Sequence, residues 1–78
     1  MDLEVKTMLK VKIKLKDILK QRNMTQKELA EMANIREATI SEIVRGSRTV
    51  ININHLTAIA EALNITDIEQ LIVLERKE

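Results

Sequence analysis

The sequence has no cysteine, no proline and no aromatic residue, and it holds a single glycine and a single histidine. Without cysteine there is no disulfide framework, and one histidine leaves no clustered zinc site of the usual kind. The missing aromatics remove the stacking platforms on which single-strand binders rely, so a nucleic-acid partner would be duplex. No apolar run approaches the roughly 18 residues of a membrane span, and lysines interrupt the apolar residues near the N-terminus where a secretory core would be continuous. A cytoplasmic chain is expected. No repeat, low-complexity tract or linker composition is present. Catalysis needs groups converging in a cleft, yet His55 has no cysteine to work with, no pair of acids is isolated on an apolar surface, and there is no glycine-rich phosphate loop. The sequence therefore predicts no enzyme, no cofactor, no metal and no small-molecule effector.

What remains is enough for one small core. Of 78 residues, 35 are apolar, mostly Ile and Leu, which is one domain's worth of chain and too hydrophobic for a disordered one. At this size only about 60% of the unfolded chain's surface can be buried, so a partner subunit is a natural source of further stability. A homodimer is expected on that ground. The net charge of +1 is unevenly spread: residues 1–22 carry seven bases against three acids, residues 23–48 balance, and residues 49–78 carry two bases against five acids. Such asymmetry suits a basic face turned toward a polyanion, and it also suits an ordinary solvated surface.

Residues 9–16 alternate strictly, with Leu9, Val11, Ile13 and Leu15 on one side and Lys10, Lys12, Lys14 and Lys16 on the other. That is the period of a half-buried strand. Its lysines read either as a solvated face that discourages edge pairing or as phosphate contacts. From Leu15 the apolar spacing changes to three and four, through Ile18 and Leu19, which predicts a first helix to about Arg22. The branched run from Leu71 to Leu74 either finishes a helix or forms a second strand against residues 9–13. A lone two-stranded ribbon is marginal in water, so it would lie against the helices or extend across a dimer.

Capping chemistry marks the other helices. Thr25 and Glu28 make a capping box, with Met24 and Leu29 as its hydrophobic staple, and Thr66 and Glu69 repeat the box. Asn52 is placed to cap the helix that carries Leu56, Ile59, Ala60 and Leu63, and His55 in its first turn is expected to be an exposed surface residue. Asn23, Asn34, Gly46 and Asn64 each follow an apolar periodic stretch and tolerate a left-handed conformation, so they read as helix ends. Five helices joined by tight turns result. Between Thr25 and Gly46 two of them are separated by about three residues: the first turns Leu29, Ala30 and Ala33 inward, the second Ile40, Ile43 and Val44. The opposite face of the second carries Glu37, Ala38, Ser41, Glu42 and Arg45, all polar or small.

At these residues the chain resembles the phage repressor and Cro type of helix-turn-helix domain, also called the xenobiotic response element family. The resemblance covers residues 15 to about 72. It rests on Thr25-Gln26 followed by Glu28-Leu29-Ala30, then Ala33, Ile35, Ala38-Thr39-Ile40-Ser41 and Gly46, and on Leu56 with Ile59-Ala60-Glu61-Ala62-Leu63. It implies an all-α, five-helix, lambda-repressor-like domain whose third helix enters the DNA major groove while the second crosses the backbone. By position, Gln26 corresponds to a glutamine that clamps phosphate, Glu37, Ala38 and Glu42 to base-reading positions, and Thr39 and Arg45 to backbone contacts. Arg36 reaches a phosphate or a guanine edge, and Ser41 and Arg48 complete the candidate DNA-binding set. Three residues depart from the family pattern: Asn34 stands for the usual turn glycine, Arg36 for a capping serine, and Glu37 with Glu42 brings negative charge toward a polyanion unless each accepts from a cytosine amine or pairs with Arg36 or Arg45.

The expected organisation is a basic N-terminal strand or arm over residues 1–14 and a DNA-binding domain over 15–78, with the helix-turn-helix at 25–46. The expected activity is sequence-specific binding of double-stranded DNA by a transcriptional regulator, a repressor acting by occupying its operator. The alternative is an antitoxin that binds a protein toxin through residues 1–14 or 71–78 and regulates its own operator.

Overall fold

The computed structural model describes residues 8–47 and 50–76. In chain order its elements are β1 (Leu9–Ile13), α1 (Leu15–Gln21), α2 (Gln26–Ala33), α3 (Glu37–Arg45), α4 (Ile53–Ala62), a short 3-10 turn (Ile68–Gln70) and β2 (Ile72–Arg76). Among the described residues no helix is long and apolar enough to cross a membrane.

All four α-helices stop in the same way, and the sequence marks each stop. Asn23, Asn34, Gly46 and Asn64 take positive φ, between 55° and 68°. After each of them the next residue's N–H reaches back five positions: Met24 to the Leu19 carbonyl, Ile35 to Ala30, Ser47 to Glu42 and Ile65 to Ala60. These are Schellman closures, which satisfy carbonyls that a helix end leaves open. In three of the four the residue after the turn is Met or Ile, packed on the core, so the closure also fixes where the next segment leaves.

The starts are less uniform. The α2 box is complete, since the Glu28 N–H donates to Thr25 Oγ1 at 3.0 Å and the Thr25 N–H to Glu28 Oε1 at 2.8 Å. Asn52 caps α4 by accepting from the Asn54 N–H at 2.8 Å. At α3 the cap position is Arg36, and no side chain serves there. Thr25→Ala should therefore cost about 1 kcal/mol, a fall in Tm of roughly 4–8 °C. Thermal melting checks this, and an unchanged Tm would mean that the cap is replaced by water at no loss.

The core is built from one face of every helix: Leu15 and Leu19 of α1, Leu29, Ala30 and Ala33 of α2, Ile40 and Ile43 of α3, Ile59 of α4, and Leu63, Ile65 and Leu71 beyond it. The two alanines allow α2 to lie close against both α3 and α4, while α1 packs on α3. Burying each large aliphatic side chain contributes roughly 1.5–3 kcal/mol. Among the described residues no polar or charged residue is buried. The Arg22 guanidinium, through Nη1, donates to the Leu63 carbonyl, so the ends of α1 and α4 are tied across 41 residues of sequence.

The two strands pair antiparallel, Leu9 opposite Arg76 through Ile13 opposite Ile72. The branched run at 72–74 thus resolves as a strand, and this is why a fifth α-helix does not form. Thr66 and Glu69 do not close a capping box: the residue before the turn is Asp67, with no side-chain cap, and only Ile68–Gln70 wind before β2 begins. A helix continuing past Gln70 would take Ile72, Val73 and Leu74 away from β1. The strand expected over 9–16 ends at Ile13 because Leu15 enters the core as the first residue of α1, and the Lys14 N–H, at 2.7 Å from the Leu71 carbonyl, pins that junction. The apolar face of the ribbon is also less covered than a half-buried strand implies. Ile13 and Ile72 pack on the core, whereas Val11 is 60% and Leu74 63% exposed.

Candidate nucleic-acid interface

The helix-turn-helix expected at 25–46 is present as α2, a turn through Asn34, Ile35 and Arg36, and α3. The turn is fixed by opposite backbone conformations: Asn34 is left-handed at φ 58° and ψ 46°, and Arg36 is extended at φ −62° and ψ 140°. Ile35 between them packs on the core. Asparagine serves in place of glycine because its side chain tolerates this conformation at modest cost. With Leu29 and Ile40 wholly buried, the angle between the two helices is set by packing and not by a loop.

The third helix has nine residues, a length of about 13 Å, comparable to the roughly 12 Å width of the major groove. Ile40 and Ile43 face the core, and Val44 packs at its edge. On the other side Glu37, Ala38 and Arg45 are exposed, while Thr39, Ser41 and Glu42 are partly covered by their neighbours. The Arg45 guanidinium donates from Nη1 to Ser41 Oγ at 3.1 Å, one turn back. This holds a cation over the last turn of α3, where the helix dipole is negative, and Glu37 stands at the positive end. Gln26 is the first residue of α2 and half-buried, and Arg36 is exposed at the head of α3. These residues lie on one helix-turn-helix unit. Arg48 lies outside the described residues.

The charge of this unit runs against simple attraction to a polyanion. Residues 25–46 hold Lys27, Arg36 and Arg45 against Glu28, Glu31, Glu37 and Glu42, a net of −1. The surplus of bases is on β1, on α1 and at the two ends of α1, at Lys10, Lys12, Lys14, Lys16, Lys20 and Arg22. The bases that a polyanion would attract thus lie mostly outside the helix pair.

Two features of the structure, one at the end of α3 and one on α4, were not legible in the sequence. Ser47 donates its hydroxyl to the Glu42 carbonyl at 3.3 Å, alongside its own backbone N–H at 3.2 Å to the same oxygen, and so locks the end of α3. A hydroxyl directly after the Gly46 stop was the available signal. His55, expected at the surface, is half-buried, and its Nδ1 is enclosed with no hydrogen-bond partner among the described residues. No motif around it foretold that, because its cover comes from the fold.

A short helix pair with a tight left-handed turn and a second helix presenting a polar face defines a helix-turn-helix DNA-binding module. The family model described as "Helix-turn-helix" matches residues 15–71, and the chain belongs to this family, the phage repressor and Cro type of DNA-binding protein used in transcription regulation. Over 99% of this chain and 100% of the other, its fold is similar to the crystal structure of the transcriptional regulator VanUg in its form II, with a TM-score of 0.69 and 24% identity. That likeness is one of fold. Comparison with curated proteins yields no match.

Proposed function

We propose that the protein is a transcriptional repressor that binds a specific operator in double-stranded DNA as a homodimer and acts by occupying it. The observation that carries this reading is the outward face of α3, held rigidly by Leu29, Ile40 and the closures at Asn34 and Gly46. In this reading Glu37, Ala38 and Glu42 face base edges. Gln26, Arg36, Thr39, Ser41, Arg45 and Arg48 position the helix against the backbone. A nine-residue helix spans only part of one groove, so a second copy on the next turn of the duplex supplies the length of a useful operator. Selection of bound duplexes from a random pool at fixed salt tests it. The expected consensus is a palindrome with half-site centres roughly 10 base pairs apart, one helical turn. No consensus, with equal affinity for random duplex, overturns the proposal.

One observation favours a second reading, an antitoxin that also binds a protein toxin. A groove of about 330 Å³ between α4 and the 3-10 turn is lined by Ile53, Leu56, Ala60, Ile65 and Ile68, and Ile53 and Ile68 are largely exposed. Apolar surface of this kind suits a protein partner. A neighbouring gene encoding a small toxic enzyme whose product forms a stable complex with this chain would favour the antitoxin over the simple repressor.

A further inference from the structure

A polar pocket of about 250 Å³ is lined by Lys14, Ile18, Gln21, Arg22, Ile65 and Gln70. No residue of α2 or α3 contributes, so it lies off the helix pair. Its lining comes from three stretches: α1 with the residues at both its ends, Ile65 just after α4, and Gln70 at the close of the 3-10 turn. These stretches meet only in the fold, and no single motif records the pocket. Lys14, Ile18, Gln21 and Arg22 share one face of the helix, at spacings of four and three with one neighbour beyond. Lys14 and Arg22 stand about 12 Å apart along its axis, within reach of each other's long side chains, so the two cations close on the pocket from opposite ends.

The chemistry of the lining is that of donors. Lys14 and Arg22 bring two cations, Gln21 and Gln70 two carboxamides, and no carboxylate lines the pocket. Arg22 spends Nη1 on the Leu63 carbonyl, which anchors the guanidinium and leaves four of its five N–H donors for another partner. Lys14 is half-buried, and among the described residues neither it nor Asp17 on α1 makes an ion pair. Ile65 is buried and Ile18 half-buried, and an apolar floor of this kind strengthens the attraction between the cations and an anion. A carboxylate, with two oxygens, is satisfied by a guanidinium fork alone. A phosphoryl group has three, and accepts from the fork, an ammonium and a carboxamide together. The volume is below the roughly 300–1,000 Å³ of sites for drug-sized molecules, so the occupant is small.

Against the expectation of no small-molecule effector, we propose that this pocket binds a small phosphate-bearing molecule. Its phosphoryl oxygens accept from Arg22, Lys14 and the flanking carboxamides of Gln21 and Gln70, and its organic part rests on Ile18. Such a ligand ties α1 to the turn that leads into β2, beside the hydrogen bond from the Lys14 N–H to the Leu71 carbonyl, and braces the root of the ribbon. The binding is independent of the reading of α3 as a DNA-facing helix.

Titration of the full chain with inorganic phosphate tests the pocket, read by the backbone amide signals in NMR spectra at constant ionic strength with chloride as the reference anion. The signals of Lys14, Gln21, Arg22 and Gln70 should move and saturate while those of α3 stay. The Tm should rise by roughly 6–11 °C once phosphate exceeds its dissociation constant about tenfold. Phosphate also stabilises proteins by exclusion from their surface, so the variants decide. Gln70→Glu keeps the shape and exchanges a donor for a carboxylate, and should weaken phosphate binding about tenfold or more. Acetate should bind more weakly than phosphate. Lys14→Gln should weaken phosphate binding and leave the salt dependence of duplex binding as it is. Shifts that never saturate, acetate bound as tightly as phosphate, or Gln70→Glu titrating like the parent each overturns the proposal. So does a Lys14→Gln variant whose slope of log K against log salt flattens by about 0.9, since the occupant would then be a phosphate of DNA.

Discussion

Ile40→Ala should remove about 2–5 kcal/mol of stability, out of a total that for 78 residues is on the order of 4–12 kcal/mol. Ile40 has no exposed surface and lies on the inner side of α3, with Leu29 of α2 equally enclosed. Removing its side chain leaves a cavity at the joint that sets the angle of the helix pair. The denaturant midpoint should fall by roughly 1–3 M urea with little change in slope. DNA binding should fail at the temperature where the variant melts and persist below it with the operator preference intact. Ile53→Ala supplies the contrast, since Ile53 is 71% exposed and its loss should stay within about 0.5 kcal/mol. Equal effects at both positions would mean that Ile40 does not clamp α3.

The second large effect separates reading from positioning on α3. Arg45 is held by Ser41 over the last turn, and in the proposed function it contacts a phosphate. Arg45→Ala should weaken all duplexes alike and flatten the slope of log K against log salt by about 0.9, the share of one phosphate. Glu42 projects from the same face one turn earlier. If its carboxylate accepts from a cytosine amine, Glu42→Ala should relax preference at that single base pair by about 1–3 kcal/mol. Non-specific affinity should hold or rise, because a negative charge has left the groove. Affinity titrations over the selected operator and its single-base variants decide this. A uniform loss of affinity, or no change at any base, would mean that α3 is docked in another way.

Local chemistry was legible wherever the deciding partners lie within a few residues. Asn23, Asn34, Gly46 and Asn64 were read as helix ends, and each takes the left-handed conformation. The same motif then had two outcomes. Thr25 with Glu28 opens α2 because Leu29, Ala30 and Ala33 follow at helical spacing and bury. Thr66 with Glu69 opens only a single 3-10 turn, because Ile72 to Leu74 find β1 nearly 60 residues away. Sequence spacing does not weigh a distant strand against a nearby helix. On α3 the outward and inward faces followed from period alone, since one turn of helix fixes both. The Arg22 contact to Leu63 and the enclosure of His55 depend on which segments fold together, and no local pattern records that.

The pairing of β1 with β2 has a consequence for the order of events in folding. Ile13 and Ile72 meet only after 58 intervening residues have been drawn together, and an unfolded chain meets that entropy before the strands return anything. The helices, whose closures are all local, assemble first and bring the two ends near each other. The ribbon is then expected to be the last element to zip and the first to open, and amide hydrogen exchange faster in β1 and β2 than in the helices would check it. On that order, a contact made through β1 would be open only to molecules whose helices have already assembled, and it could be released and remade while α2 and α3 stay in place.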